Sequence, residues 1–225
     1  MFKNRAEAGR RLSDAMPQYS RSETIVLAIP RGGVVVGYEL ATKLGIDLDI
    51  IVPRKIGAPG HPELAIGAIA EDGAIHLNQQ IIESLGIEDG YIREESARQI
   101  AEIKRRTTTY RGDDRKSLDI VRGRTVIITD DGLATGATMI AAIMSVKKYD
   151  PTQIVVAVPL SPSHTVVELE RLVDNVICLE RPEWMSAIGE FYEDFQQVDD
   201  EIVIELLKQG RKKKRLEESG QGDLP

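Results

Sequence analysis

The chain has 225 residues, of which 42% are hydrophobic, and it carries a formal net charge of -7. This size and composition predict one compact α/β domain with room for a small appendage. The negative charge argues against nucleic acid as a partner, because proteins that bind it rely on basic groups against the phosphates. Clustered N–H groups and basic side chains can still hold a small anion on an acidic protein.

The single cysteine limits the possible thiol chemistry, and the first residues bear on where the protein is located. Cys178 rules out a disulfide within the chain and a thiolate metal cluster, and its apolar neighbours predict an inert core thiol. The first residues lack the apolar core of a secretory signal. No apolar run approaches the ~20 residues of a membrane span. We therefore expect a soluble, cytoplasmic protein without a membrane partner.

In the first part of the chain, predicted helices and strands alternate. Helical spacing at 4–16 is followed by an apolar run at 25–29, which is typical of a strand buried on both faces. The turn 30–33, PRGG, leads into a helix that ends at Gly45. A second predicted strand follows and ends in a basic turn, which consists of Pro53, Arg54 and Lys55.

The same alternation continues after a less regular middle part. The stretch 58–78 is rich in Gly and Pro at first and then predicts short strands, as in a hairpin. A charged helix is predicted at 87–110, with Ile92, Ile100 and Ile103 on its apolar side. The whole pattern predicts an open, mainly parallel sheet with helices on both faces. The later segments are strands at 124–132, 153–162 and 175–180 and helices at 138–150 and 163–174.

The segment after the third predicted strand has the chemistry of a sugar-phosphate site. Ligands of open parallel sheets bind beyond the carboxyl ends of the strands. Residues 132–138, GLATGAT, are small enough for the backbone to curl round a phosphate, and the next helix offers its first N–H groups. The segment lacks the Gly-Lys-Ser/Thr ending of a Walker A loop, and no G-x-G-x-x-G occurs.

Two adjacent carboxylates, Asp130 and Asp131, precede this loop. They would repel a phosphate, but they can accept hydrogen bonds from vicinal ribose hydroxyls and can hold Mg²⁺ directly or through water. An ordinary turn and a helix cap are the alternative explanation. The coincidence of acids, small residues and a helix start directly after a strong strand favours the functional interpretation.

The segment 126–138, VIITDDGLATGAT, resembles the phosphoribosylpyrophosphate-binding motif of the type I phosphoribosyltransferases. The turn 30–33 with its helix resembles the pyrophosphate loop of that family, and the resemblance covers roughly residues 24–180. It implies a Rossmann-like fold with a small C-terminal hood. The implied domains are a core at 1–180, a hood or packing segment at 181–209 and a basic, disordered tail at 210–225.

The resemblance also implies roles for individual residues. Asp130 and Asp131 would bind the ribose hydroxyls and Mg²⁺, and Arg54 and Lys55 would neutralise the departing pyrophosphate, although both could instead be exposed strand-end charges. The pyrophosphate loop would consist of Arg31, Gly32 and Gly33. The loop for the 5-phosphate would consist of Ala134, Thr135, Gly136, Ala137 and Thr138.

Other positions bear on the acceptor and on proton transfer. In the 6-oxopurine branch of the family, an aspartate stands where this chain has Ala134, so the acceptor base stays open. A mobile cover is implied at 57–73, where Glu63 and Glu71 are candidate proton-transfer groups or ordinary loop residues. In the hood, aromatic side chains could stack on a base or anchor a C-terminal helix; they are Trp184, Phe191, Tyr192 and Phe195.

The function that the resemblance implies is Mg²⁺-dependent transfer of the phosphoribosyl group to a nucleobase-like nitrogen acceptor, as in nucleotide salvage, by a homo-oligomer such as a dimer. One alternative is a non-catalytic regulator that keeps the sugar-phosphate site and contacts nucleic acid through 211–215. A phosphate-ester hydrolase built on the paired aspartates is a weaker alternative, because no second metal-ligand cluster is apparent.

Overall fold

The computed structural model describes residues 1–19, 23–112 and 118–218, with side chains except at position 63 and at 211–218. In chain order, its strands are β1 (Thr24–Ala28), β2 (Asp47–Ile50), β3 (Arg54–Ala58), β4 (His61–Ile69), β5 (Ile75–Leu77), β6 (Thr125–Thr129), β7 (Gln153–Leu160) and β8 (Asn175–Glu180). Its α-helices are α1 (Arg5–Asp14), α2 (Gly32–Leu44), α3 (Gln79–Leu85), α4 (Asp89–Arg111), α5 (Ala137–Lys147), α6 (Ser163–Glu170) and α7 (Asp200–Glu218). Short 3-10 turns lie at Leu118–Val121 and Ile188–Phe191.

The main sheet has five parallel strands in the order β2-β1-β6-β7-β8. Its strands are apolar on both faces because helices cover both. Ile25 and Leu27 pack with the residues of α5 and α6, whereas Val26 between them packs with Leu12 of α1 and Leu40 of α2. The expected open parallel sheet with helices on both faces is therefore confirmed.

A second sheet, antiparallel and three-stranded in the order β3-β4-β5, follows the short strand β2. The main-sheet strand ends at Ile50, and Arg54 and Lys55 are the first residues of β3, paired with Ile69 and Ala68 of β4. Our prediction that the basic pair ends a buried parallel strand is therefore wrong. Pro53 has no N–H group to donate to a neighbouring strand, and it stands between the end of β2 and the start of β3.

Helices α3 and α4 flank the second sheet, and sequence patterns did not predict α3. Helix α4 agrees with its prediction except for Ile100, which is 41% exposed, whereas Ile92 and Ile103 are buried in the core. Helix α3 has seven residues and only one buried side chain, Ile82, so its sequence carries little helical periodicity.

Buried charges connect this second sheet to the first. Arg111, at the end of α4, is 4% exposed, and its Nε lies 3.2 Å from Asp49 Oδ1 in β2. The guanidinium also donates to the Ile50 carbonyl at 2.6 Å and to the Glu71 carboxylate. Glu71 in turn accepts the Val52 N–H at 3.0 Å. The three charged groups form a structural ion network between helix, sheet and turn.

The C-terminal part of the chain packs in two places. Residues around Tyr192 lie over α1, where Phe2 forms an isolated parallel bridge with Tyr192 and is fully buried. Helix α7 inserts Val203 and Leu207 into the core beside Ile50. The chain is helical to Glu218, where we expected a disordered tail, and 219–225 lie outside the described residues. None of the helices in the described part combines the length and apolarity that crossing a bilayer requires.

Candidate functional site

The turns after β1 and β6 touch each other, because these strands are neighbours with Ala28 level with Thr129. A Cβ atom on Gly33 would lie 2.8 Å from the Asp130 Cα, and one on Gly32 would collide with the Asp131 carboxylate. Only glycine allows so close an approach. The Pro30–Arg31 peptide bond in this turn is cis. The fold thus brings the PRGG turn directly against the paired aspartates.

The small-residue loop after the aspartates leaves the N-terminus of α5 uncapped by side chains. Gly136 is the residue before α5, with a left-handed φ of 72°, and no side chain caps the helix N-terminus there. Thr165 of α6 supports the loop from behind, since its hydroxyl donates to the Ala134 carbonyl at 3.0 Å. Ala134 and Thr135 are exposed. The first N–H groups of α5 are therefore available to an anion.

The paired aspartates sit in surroundings that oppose two negative charges. Desolvation by burial, and then the charge of Asp131, raise the pKa of Asp130 well above its ordinary value of 3.8. Burial also raises the pKa of Asp131, while the guanidinium of Arg5 works in the opposite direction. The backbone N–H of Asp131 donates to Asp130 Oδ1 at 2.8 Å. Because burial keeps water from these carboxylates, hydroxyl groups of a ligand can donate hydrogen bonds to them.

Arg5 is a site residue that sequence reasoning missed. It lies in the first turn of α1, which Asn4 caps by accepting the Glu7 N–H at 2.9 Å. Its Nε lies 2.6 Å from Asp131 Oδ2, across 126 positions of the chain. A charged helix near the chain start looks like an ordinary solvated helix. Nothing in the local pattern relates Arg5 to an aspartate on a distant strand.

The expected hood covers the aspartates through packing side chains. Ile188 lies against Gly132, where an added Cβ would meet its Cγ2 at 2.7 Å. The Tyr192 hydroxyl donates to the Asp131 carbonyl at 2.6 Å, and its ring stacks on Phe195 at a centroid distance of 5.0 Å. Trp184 is 90% exposed. Tyr192 and Phe195 therefore hold this segment against the Asp131 backbone and Phe2 rather than anchoring a C-terminal helix, and stacking on a base stays a prediction.

The predicted pyrophosphate residues lie on two different elements. Arg31 precedes α2 with its side chain 32% exposed, and its Nη1 lies 3.9 Å from Asp200 of α7. Arg54 starts β3, where its Nε donates to the Gln99 side chain of α4 at 2.8 Å. Burial and the nearby Arg106 charge lower the pKa of Arg54. Arg54 therefore lies beside Arg106, and the carboxylates of Glu95 and Glu102 are also close to it.

Glu71, one of the two candidates for proton transfer, is not placed at the aspartates. Glu71 belongs to the buried ion network with Arg111, and its neighbour Asp72 pairs with Lys148 at 2.7 Å, beyond the C-terminal end of α5. The phosphate loop lies at the opposite end of that helix, so Glu71 has a structural role. The side chain of Glu63 lies outside the described part of the chain.

Two further predictions concern a metal site and the Cys178 thiol. Within the described residues, no group of three or more His, Cys, Asp or Glu side chains is placed to hold a metal ion. Burial raises the pKa of the Cys178 thiol to about 11, as expected for an inert thiol on β8. Asp130 and Asp131 therefore form no larger cluster of possible metal ligands within the described residues.

Residues 3–196 match the family model of the phosphoribosyl transferase domain. The chain belongs to the phosphoribosyl transferase family. The matched range includes α1 and the covering segment around Tyr192, which both lie outside the range over which the sequence motifs resemble the family.

Two proteins of Mycobacterium tuberculosis, from strains CDC 1551 and H37Rv, are each 38% identical to this chain over 208 residues. Their names carry phosphoribosyl transferase as a provisional assignment. The alignment covers 92% of this chain and 46% of each relative, so the chain spans about half their length. A crystal structure of a Thermus thermophilus protein is also 38% identical, with a TM-score of 0.78 over 92% of this chain and 98% of that one.

Proposed function

We propose that the protein transfers the 5-phosphoribosyl group from phosphoribosylpyrophosphate to a nucleobase-like nitrogen acceptor and releases pyrophosphate. The observation that carries this proposal is the contact between the PRGG turn and the paired aspartates. That contact puts the PRGG turn against the two carboxylates, and the loop that follows them leads to the uncapped N-terminus of α5. A sugar with a phosphate at one end and a pyrophosphate at the other has complementary groups for all three.

In this proposal each part of the site has one task. The loop 134–138 and the first N–H groups of α5 bind the 5-phosphate. Asp130 and Asp131 accept the ribose hydroxyls, and Arg31 with the backbone of Gly32 and Gly33 holds the pyrophosphate. Arg54 and Lys55 add positive charge on the side of the leaving group. The bond from C1 to the pyrophosphate oxygen breaks and its electron pair stays on that oxygen, while the acceptor nitrogen bonds to C1 and gives up its proton to water. Positioning and charge stabilisation are therefore the main contributions of the protein.

Mg²⁺ fits this site as an ion shared with the substrate. The described residues provide two adjacent carboxylates but no larger ligand cluster, which excludes a cage made of this part of the protein alone. Mg²⁺ usually keeps several waters and is held by one or two carboxylates together with substrate phosphates. Asp130 and Asp131 would hold it directly or through water, and the ion would neutralise charge on the departing pyrophosphate.

The proposal is tested with purified protein, Mg²⁺, phosphoribosylpyrophosphate and a panel of nitrogen bases, with pyrophosphate release as the readout. We expect release with at least one base, and binding of the donor by calorimetry. Asp131→Asn should weaken donor binding by about tenfold or more, since it removes a charged hydrogen-bond acceptor. Asp119→Asn, an exposed change before β6, is the matched control and should bind normally. Donor binding without transfer to any base would instead favour the non-catalytic regulator.

The contact that carries the proposal is tested separately with two glycines. Gly33→Ala should destabilise the protein by about 1–3 kcal/mol and weaken donor binding, because its Cβ meets the Asp130 backbone. Gly90 is likewise the second residue of a helix, but nothing lies near its Cβ position. Gly90→Ala should therefore be neutral or stabilising by up to about 1 kcal/mol. Equal effects of the two substitutions would contradict the assigned contact.

A further inference from the structure

The guanidinium of Arg5 is fixed on three sides. Its Nε lies 2.6 Å from Asp131 Oδ2, and its Nη1 donates to the Gln196 carbonyl at 2.7 Å. Its plane lies over the Phe195 ring, with the guanidinium carbon 3.7 Å from the ring centroid. The side chain is 11% exposed. A long side chain held in this way has already lost its rotamer freedom. Arg5 can therefore fix the orientation of the Asp131 carboxylate without a further entropic cost.

Arg5 and its partners come from three parts of the chain. Arg5 itself belongs to α1, Asp131 follows β6, and Phe195 and Gln196 belong to residues 188–196, which we call the cover segment. Tyr192 of the cover segment also binds the Asp131 carbonyl. The backbone and the carboxylate of Asp131 are therefore both tied to the cover segment, the backbone directly and the carboxylate through Arg5.

An arginine at this place has a consequence for a sugar ligand. Because Nε engages Oδ2 from the side of α1, it fixes the rotation of the Asp131 carboxylate. A carboxylate that accepts hydroxyl groups from a ligand binds best when its orientation is set before the ligand arrives. The charge of Arg5 also offsets the repulsion between the two neighbouring aspartates.

We propose that Arg5 is a positioning residue for donor binding, which orients Asp131 toward the ribose hydroxyls and makes that orientation depend on the cover segment. This inference rests on the proposed function, because it presumes that Asp131 binds the ribose of phosphoribosylpyrophosphate. It goes beyond that function by assigning a role to α1 and to the cover segment, which contribute no group of their own to the phosphate or pyrophosphate loops.

The test is a double-mutant cycle on donor affinity, measured by calorimetry with phosphoribosylpyrophosphate and Mg²⁺. Arg5→Gln alone should weaken donor binding by about 10- to 100-fold, the range for a lost hydrogen bond to a charged group. In the Asp131→Asn background, Arg5→Gln should change the affinity by less than about twofold, because Arg5 then has no carboxylate to orient. Additive effects of the two substitutions would overturn the proposal.

Conservative variants separate positioning from mere packing. Arg5→Lys keeps the charge but loses the planar stacking on Phe195, so it should recover part of the lost affinity. Phe195→Leu keeps Arg5 itself and should weaken donor binding in the same direction, but less. Arg10→Gln is the control on the same helix, since Arg10 is half exposed and pairs with Glu39 instead. In an active preparation, KM for the donor should rise more than kcat falls.

The outcomes also distinguish failure of this inference from failure of the proposed function. If the wild-type protein binds no donor, the proposed function fails and the inference fails with it. If the wild type binds and Asp131→Asn does not, but Arg5→Gln binds normally, only the role of Arg5 is wrong. If Arg5→Gln does not fold, as judged by thermal unfolding, unchanged affinity in both Arg5→Lys and Phe195→Leu overturns the proposal.

Discussion

Asp130 illustrates the conflict between binding and stability at the scale of one residue. Its carboxyl is desolvated and lies beside a second carboxyl, so its ionised form is disfavoured in the folded protein without a ligand. A site that must accept hydroxyl groups from a sugar needs such acceptors in place beforehand. Keeping two buried carboxyl groups side by side lowers the stability of the ligand-free protein, and ligand binding offsets this loss.

The stability of the protein should therefore respond to pH through Asp130. Because its pKa is raised in the folded state, the folded protein binds this proton more tightly than the unfolded chain. This stabilising contribution is fully present below the ordinary pKa of 3.8 and is lost as pH rises through the raised value. Asp130→Asn should raise the free energy of unfolding at about pH 8 and change it little near about pH 3.

Urea unfolding of both proteins at several pH values checks this expectation. Asp119→Asn serves as the exposed control and should follow the wild type at every pH. A lower stability of Asp130→Asn than of wild type at the higher pH would contradict the assigned cause. The same variant should bind phosphoribosylpyrophosphate more weakly, which would show the conflict between binding and stability at one position.

The residues of the site differed in how far sequence could reveal them. The aspartates and the loop 134–138 are contiguous and follow a strong apolar strand, so local pattern sufficed to select them. Arg5 is 126 positions away from its partner, and no local rule relates the two. Glu71 was misjudged because an acidic residue in a Gly-rich stretch looks exposed, whereas the fold pairs it with a buried arginine.

At the scale of elements, the ion network around Arg111 joins α4 to both sheets. A buried ion pair is a weak source of net stability when compared with apolar packing, but removing one partner leaves the others uncompensated. The network therefore fixes how the second sheet sits against the first. Sequence patterns predicted β1, β6 and β7 well because each contains an unbroken apolar run, whereas β2 alternates acidic and apolar residues. They failed between 50 and 54, where Pro53 separates two strands that lie close together in sequence.

Removing the central cation of the network should be costly. Arg111→Met should lower the free energy of unfolding by about 3–5 kcal/mol, because Asp49 and Glu71 lose their buried partner. Arg122→Met is the matched control, since Arg122 is 57% exposed and its pairs with Asp119 and Asp150 lie at the surface. It should change stability by no more than about 1 kcal/mol. Similar losses in the two variants, measured by chemical denaturation, would refute a buried network.

At the scale of the whole molecule, helix α7 consists of two halves that differ in what they contribute. The first half of α7 is core, since Val203 is 0% and Leu207 is 1% exposed, both packed with the residues of β2 and β3. The second half contains the basic residues of 211–215, which the regulator alternative would use to contact nucleic acid. The helical spacing of Val203 and Leu207 signals a packed helix, and the charge run after them suggested a tail.

Truncation separates these roles. A chain that ends after Gly210 should unfold at nearly the same temperature as the full chain and should keep its affinity for phosphoribosylpyrophosphate. Leu207→Ala in the full chain should instead cost about 2–5 kcal/mol, whereas Ile202→Ala, at a 44% exposed position, should cost much less. Loss of donor affinity on truncation after Gly210 would show that 211–225 belongs to the site.

The contact between Arg5 and Gln196 spans 191 positions, which has a consequence for protein synthesis. A ribosome that adds about 5–20 residues per second needs roughly 10–40 seconds to pass from the first partner to the second. For the part of that interval after the aspartates are made, the nascent chain carries them without their cover segment. If Asp131 binds the ribose as proposed, a premature stop before residue 188 would yield a nearly complete sheet in which Arg5 and Asp131 lack the cover segment, and the donor affinity of that product would fall.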